Sequence, residues 1–248
     1  MFRSGTSNIV LTEPNKRSFP TEFQSKSRLS YYGSLFNSLE VNSTFYKLPM
    51  PSTIEKWATD VPKTFQFSFK LWKGITHVKD ICFLSADLVN FIHTIDAAGT
   101  KKGCLLIQLP PGSGEKDTPQ LERLLEEIAA ADPGRNWKIA VEFRHRSWYT
   151  EQVYSLLDDH HASLVLHDMP VSGTHRLNEK APFVYLRFHG PKGDYKGSYS
   201  EPFLYDHAQQ IRQWLSEEKE VYAYFNNTAE GDAPKDLMIL NKFVASLS

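Results

Sequence analysis

In the stretch IAVEFRHRSW, Glu142 and Arg144 stand two residues apart. In an extended chain that spacing puts a carboxylate and a guanidinium on one face, because side chains alternate across a strand. Ile139, Val141 and Phe143 have the opposite parity and mark an apolar face. A charge costs several kcal/mol or more to bury unless it is paired or hydrogen-bonded. The pattern recurs elsewhere. Gln66, Ser68 and Lys70 alternate with Phe65, Phe67 and Phe69. Glu40 and Asn42 alternate with Leu39 and Val41. Leu106 and Gln108 alternate with Leu105, Ile107 and Leu109. Tyr185, Arg187 and His189 alternate with Val184, Leu186 and Phe188. Tyr222, Tyr224 and Asn226 share one face of a further stretch.

Each residue type in this polar set has a chemistry. Lys70, Arg144 and Arg187 are cations suited to an anionic ligand, since a guanidinium can hold phosphate or carboxylate through two parallel hydrogen bonds. Glu142 and His189 are the first acid/base candidates, with Glu40 and Lys70 beside them as proton-transfer groups once their environment tunes them. The nearby Arg144 keeps Glu142 ionised, which disfavours an acid role and weakens a glycosidase reading of the paired carboxylates. Asn42, Gln108 and Asn226 would orient a ligand. Tyr195 and Tyr199, with Trp72 and Trp148, either rim the site for stacking on bases or sugars or pack beneath its loops. His77, His145, His167, His189, Glu142 and Asp168 lie near strand ends, yet no local His-x-x-x-His or carboxylate–His spacing appears and the inward cations oppose a divalent metal. No metal site is expected.

What could bring these residues together is an alternation of short period-two stretches with amphipathic stretches of period near 3.6. The strands are read in FRSGTS, SLEVNSTFY, FQFSFKL, GCLLIQL, KIAVEFRH, SLVLHD, FVYLRFHG and VYAYFNN. Helices are read after Ser52, which with Glu55 forms a capping box; after Thr118, with Pro119 at the first position; after Thr150; around Ile211, Trp214 and Leu215; and from Asp232 and Pro234. The segment MPVSGTHRLNEKAP has no helical period, so the sixth helix is short or missing. Eight strands in such an alternation predict one α/β domain over residues 1–248, a parallel β/α barrel of TIM type. An open doubly wound sheet usually shows a Gly-rich phosphate turn after its first strand, and GTSN is too short for one. In a barrel the polar ends converge at the C-terminal mouth, where sites of this fold lie.

The chain has 248 residues, 41% of them hydrophobic, and a formal net charge of −1. That balance gives no global pull toward DNA or membranes. The end carrying Lys70, Lys73, Arg144, Arg146, Arg187, Lys192 and Lys196 against Glu40, Glu142, Asp168 and Asp194 is locally basic. The two cysteines have no metal or disulfide spacing, and no apolar run approaches the roughly 20 residues of a membrane helix. MFRSGTSNIV lacks a signal peptide's apolar run. The cytoplasm is the expected location.

The motifs FNSLEVNSTFY, KGITH, IQLPP, VEFRHRSW, YLRFHGP followed by YKGSY, and YFNNT strongly resemble those of the family called domain of unknown function seventy-two, the YecE-like proteins. Six ordered matches run from about Gly5 to the last helix. The resemblance implies a barrel similar to the endonuclease IV and xylose isomerase enzymes and no settled reaction. Its motif positions fall on Glu40, Asn42, Ser43, Thr44, His77, Gln108, Glu142, Arg144, His145, Trp148, Arg187, His189, Gly190, Tyr195, Tyr199, Asn226 and Asn227. The chain departs from the family at Asn8, Ile9 and Val10, where relatives usually continue with a Gly-Trp turn.

The expected function is a barrel protein, as an enzyme, that takes a small phosphate-bearing or otherwise anionic ligand at the mouth. Cofactor and oligomeric state stay open. Two alternatives remain: a non-catalytic nucleic-acid-binding barrel, and a divalent-metal hydrolase or isomerase.

Overall fold

A computed structural model describes residues 1–247. Eight strands form one sheet: β1 (Phe2–Thr6), β2 (Ser38–Val41), β3 (Gln66–Lys70), β4 (Lys102–Gln108), β5 (Lys138–Glu142), β6 (Ala162–His167), β7 (Val184–Phe188) and β8 (Val221–Phe225). The order is β1-β8-β7-β6-β5-β4-β3-β2 and every ladder is parallel. Parallel strands need crossovers, and helices supply them: α1 (Arg28–Leu35), α2 (Pro51–Asp60), α3 (Lys73–Thr76), α4 (Ser85–Ile95), α5 (Thr118–Ala131), α6 (Glu151–Asp159), α7 (Glu201–Ser216) and α8 (Ala233–Ser246).

The ring closes between β1 and β2 without a full ladder. A parallel bridge joins Ser7 to Glu40, and Asn8 N–H donates to the Glu40 carbonyl at 2.7 Å. Below it the Tyr32 hydroxyl fills the gap: it accepts from Thr6 N–H at 2.7 Å and donates to the Ser38 carbonyl at 3.1 Å. A phenol thus pairs backbone groups that the strands do not pair directly.

Residue parity sorts the core into two layers. Phe65, Phe67, Phe69, Leu105, Ile107, Val141, Phe143, Val184, Leu186 and Phe188 pack outward against the helices. Cys104, Leu106, Ala140, Val165, Phe183, Tyr185, Tyr222 and Tyr224 fill the barrel. The Tyr224 hydroxyl bonds Ser38 at 2.5 Å and Ser68 at 2.8 Å across the axis. The interior is a packed core, and the polar set sits on top of it.

Several local expectations are corrected. Strand β2 ends at Val41 rather than running through STFY. The Thr44 hydroxyl donates to the Val41 carbonyl at 2.9 Å and the Lys70 carbonyl at 2.7 Å, turning Ser43–Phe45 into a short 3-10 segment. Helix α2 starts at Pro51, not after a Ser52–Glu55 capping box. Proline's fixed φ suits the first turn, and its missing N–H leaves one fewer group to cap. Helix α5 includes Thr118, whose N-cap is Asp117. Thr150 caps α6 as expected, accepting from Val153 N–H at 3.4 Å. Between β6 and β7 there is no helix. There Asn178 tucks under the barrel, accepting from Leu164 N–H and donating to the Ala162 carbonyl, both at 2.9 Å. Helices α1, α3 and α4 fall outside the helical stretches read from the sequence.

Candidate functional site

The site is built from strand ends at the C-terminal mouth. Arg187 on β7 lies between two buried carboxylates. Its Nε and Nη2 donate to Glu40 at 2.9 and 2.7 Å, and Nη1 donates to Glu142 at 2.6 Å. Glu40 is saturated: Ser7 donates to one oxygen at 2.5 Å and the Tyr185 hydroxyl to the other at 2.7 Å. Glu142 accepts from Arg144 Nε on its remaining oxygen. Arg187, Glu40 and Glu142 are at most 1% exposed. Burial opposes the charge on Glu142, but Arg144 and Arg187 outweigh it and hold its carboxyl well below the usual range. Burial likewise opposes the charge on Glu40, and Arg187 overrides it. Both carboxylates are therefore ionised anchors rather than acids. Burial works against the Arg187 charge as well, and the two carboxylates secure it.

The network continues to His189. Arg144 Nη2 lies 2.9 Å and Arg187 Nη1 3.2 Å from its Nε2, and Asp168 lies 3.2 Å from its Nδ1. Guanidinium groups can only donate, so Nε2 accepts and the ring proton sits on Nδ1 facing Asp168. Burial pushes the imidazole down to about 4, with Asp168 and Glu142 opposing that shift. His189 is thus a neutral spacer near neutral pH. Asp168 also accepts from the Tyr199 hydroxyl, which itself accepts from Gly190 N–H at 2.5 Å.

Lys70 is different. Its Nζ donates to Gln108 Oε1 at 2.8 Å and lies 4.2 Å from the centre of the Phe45 ring. Among the described residues it makes no ion pair. Burial, followed by the positive charge of Arg187, pushes it down to about 8. Gln108 completes its own amide by donating to the Leu109 carbonyl at 3.1 Å. Arg144 has donors to spare: Nε goes to Glu142, Nη2 to His189 and Nη1 to the Tyr195 hydroxyl at 3.4 Å, out of five N–H groups in a guanidinium.

The structure brings together Glu40, Lys70, Gln108, Glu142, Arg144, Arg187, His189 and Tyr195. Tyr195 is 38% exposed and has φ of 66°, an uncommon conformation for a residue with a side chain. Its N–H donates to the His189 carbonyl at 2.7 Å, which fixes the turn and aims the phenol at Arg144. Tyr199 is not on the rim. It stacks on Phe203 at 4.6 Å beneath the loop and acts through Asp168. Trp148 is likewise buried, stacked on Phe143 at 4.7 Å. Asn42 starts the turn after β2, and its buried Oδ1 has no hydrogen-bond partner among the described residues. Asn226 is half-buried past the end of β8, with its N–H on the Phe188 carbonyl at 2.7 Å.

Asp168, at a strand end, joins the network although residue parity does not place it at the mouth. It shares parity with Leu164 and Leu166, which face the helices. Alternation stops meaning anything past the last strand residue, His167, where the chain bends. Ser7 was missed for a similar reason, lying just beyond β1.

The alternative of a divalent-metal enzyme raises the question of a cation. The donor set does not fit one. Both carboxylates of the ring are filled by Arg187, and the open imidazole nitrogen faces two guanidinium groups. Among the described residues no cluster of three or more His, Cys, Asp or Glu could hold a metal ion.

The buried imidazole makes stability depend on pH. An unfolded histidine protonates near 6.5, whereas folded His189 resists until about 4. Between those values unfolding takes up a proton, so stability falls as pH falls, by about 1.4 kcal/mol per pH unit for one group. Urea denaturation at several values from pH 7 to 4 should show this slope, and His189→Gln should flatten it by that amount. An unchanged slope in the variant would assign the proton elsewhere.

A profile of the family described as "Protein of unknown function DUF72" matches residues 3–247. The chain is 26% identical over 253 residues to the UPF0759 protein YunF of Bacillus subtilis (strain 168), covering 87% of this chain and 86% of that one. It is 27% identical over 123 residues to the UPF0759 protein YecE of Escherichia coli (strain K12), half of this chain and 43% of that one. Among solved structures, a DUF72 family protein from Enterococcus faecalis V583 superposes with a TM-score of 0.80 at 20% identity, covering 99% of this chain and 96% of the other. Another from Thermotoga maritima MSB8 gives 0.74 at 25% identity, covering 100% and 99%.

Proposed function

The chain belongs to the DUF72 family of proteins of unknown function, and from that premise we propose that it is a cytoplasmic enzyme that binds a small phosphate-bearing or otherwise anionic ligand at the C-terminal mouth of its barrel. The carrying observation is the contrast between Lys70 and its neighbours. Glu40, Glu142, Arg187 and His189 are engaged by one another and by Ser7, Tyr185, Arg144 and Asp168. Lys70 reaches the same mouth with, among the described residues, a neutral amide and an aromatic face as partners. A cation left without a counter-ion beside the spare donors of Arg144 is complementary to an anion. Pushed down to about 8, Lys70 can also exchange a proton near neutral pH. Arg187, Glu40 and Glu142 then hold the site in shape, while Gln108, Asn42 and Tyr195 orient the ligand. The free cysteines, Cys82 and Cys104, accord with a reducing compartment. Among the described residues no helix is long and apolar enough to cross a membrane.

Calorimetric titration with inorganic phosphate, phosphorylated sugars, nucleotides and short oligonucleotides tests this reading. A phosphorylated small molecule should bind, and Lys70→Met should weaken it by about 10- to 100-fold, the scale of a charge-assisted hydrogen bond. Its thermal midpoint should stay within about 2 °C of the parent, because no buried carboxylate loses a partner. Chelation should leave binding intact. Binding of oligonucleotides alone, with affinity falling steeply with salt, would instead make this a nucleic-acid-binding barrel.

A further inference from the structure

Lysine is a poor nucleophile when it is protonated or locked in an ion pair; Lys70 makes no ion pair among the described residues, and its protonation is weakened. Phe45 covers one side of its ammonium, Gln108 Oε1 takes one N–H, and no described carboxylate holds the rest. Burial disfavours the ammonium form most, Arg187 adds to it against the opposing charges of Glu142 and Glu40, and the amine is pushed down to about 8. At pH 7 roughly a tenth of the amine is then free, against well under a thousandth for an ordinary lysine near 10.4. Desolvation together with neighbouring cations is a recognised way to activate a lysine toward carbonyl groups.

Arg144 supplies the second half of a binding pattern. It stands at the end of β5, two residues after Glu142, and its side chain is only 8% exposed. Nε is held by Glu142 and Nη2 by His189, so the fork is fixed in direction while two of its five N–H groups remain unspent. Gln108 pairs in register with Glu142, so the amide holding Lys70 and the carboxylate holding Arg144 are neighbours on one face. An amine and a guanidinium thus rise from neighbouring strands toward one mouth, each fixed by a different partner.

We propose that Lys70 forms an imine with a small carbonyl compound that also carries a carboxylate or phosphate, the anionic group resting on Arg144 and the carbonyl carbon meeting Lys70 Nζ. This names the ligand class of the mouth and rests on the anion-binding reading above. The free amine's lone pair bonds to the carbonyl carbon as the C=O π pair moves to oxygen. The proton lost from nitrogen goes to that oxygen, giving a carbinolamine. The nitrogen lone pair then forms the C=N bond as the C–O bond breaks. The departing hydroxide leaves as water with the proton that the ammonium first gave up. From ammonium and carbonyl to iminium and water, no proton and no electron is gained or lost. The iminium is cationic, and the ligand's own anionic group balances it among the arginines.

Reductive trapping tests this. The protein is incubated with pyruvate, with glycolaldehyde phosphate, or with uncharged acetone, then reduced with cyanoborohydride and mapped by peptide mass spectrometry. The expected result is one dominant adduct on Lys70 with both anionic probes, at least tenfold above any other lysine. Acetone should label it far less, inorganic phosphate should compete, and Lys70→Arg should carry no adduct at that position. Adducts spread evenly over surface lysines would overturn the imine. So would no adduct on Lys70 in protein that still binds phosphorylated ligands by calorimetry, and that result leaves the anion-binding reading standing. Equal labelling by acetone and pyruvate would support the reactive amine and overturn the role given to Arg144. Neither adduct nor anion binding would overturn both readings together.

Discussion

Arg187→Met should unfold the protein far more readily than it should alter any surface property. The substitution keeps the length of the side chain and removes the donors that hold Glu40 at 2.7 and 2.9 Å and Glu142 at 2.6 Å. Both carboxylates are fully buried. Breaking a buried ion pair by deleting one partner costs about 3–5 kcal/mol, because the other charge stays in a medium that cannot solvate it. For a chain of this size that is a fall of about 10 °C or more in thermal midpoint. Adding Glu40→Gln, which removes one stranded charge, should recover part of the loss, since the two changes share a network and are not additive. Unchanged stability with lost binding of a phosphorylated ligand would return Arg187 to the role its sequence context suggested, that of an anion holder.

The second large effect is expected at the seam. A Cβ on Gly5 would lie 2.1 Å from the Ser38 carbonyl oxygen and 2.9 Å from the Tyr32 hydroxyl. The first is backbone and cannot swing away. Gly5→Ala must therefore push β1 from β2, where the ring closes without a full ladder. Overpacking typically costs 1–3 kcal/mol where side chains can yield, so about 3 kcal/mol or more is expected here. A urea-denaturation midpoint equal to that of the parent would show that the seam opens freely. Moving the seam would also move Ser7, which donates to Glu40, so the mouth should loosen with it.

Much of the architecture was legible as alternation. The residues of one parity on β3, β4, β5 and β7 are those packed against the helices, and those of the other parity fill the barrel or stand at its mouth. A period of two survives folding because every strand of a parallel barrel has an inside and an outside. The missing sixth helix was equally readable from Pro, Gly and an absent 3.6 period. The helices α1, α3 and α4 were not; nor was the early end of β2, because the Thr44 hydroxyl there reaches across to the Lys70 carbonyl, a partner on another strand.

The candidate site divides along the same line. Sequence alone determined which charged residues share the mouth, since parity and strand ends place Glu40, Lys70, Glu142, Arg144 and Arg187 there. It could not determine who pairs with whom. Arg187, Arg144 and Lys70 are equivalent cations on a strand pattern. Only the closing of eight strands around one axis sets Arg187 between two carboxylates, ties Arg144 to Glu142 and His189, and leaves Lys70 facing a neutral amide. Alternation fixes the direction of a side chain within its own strand, but the distance between charges on different strands is a property of the closed ring. At these separations inside a protein, a difference of a few ångströms decides whether a charge is a buried anchor or a group free to react.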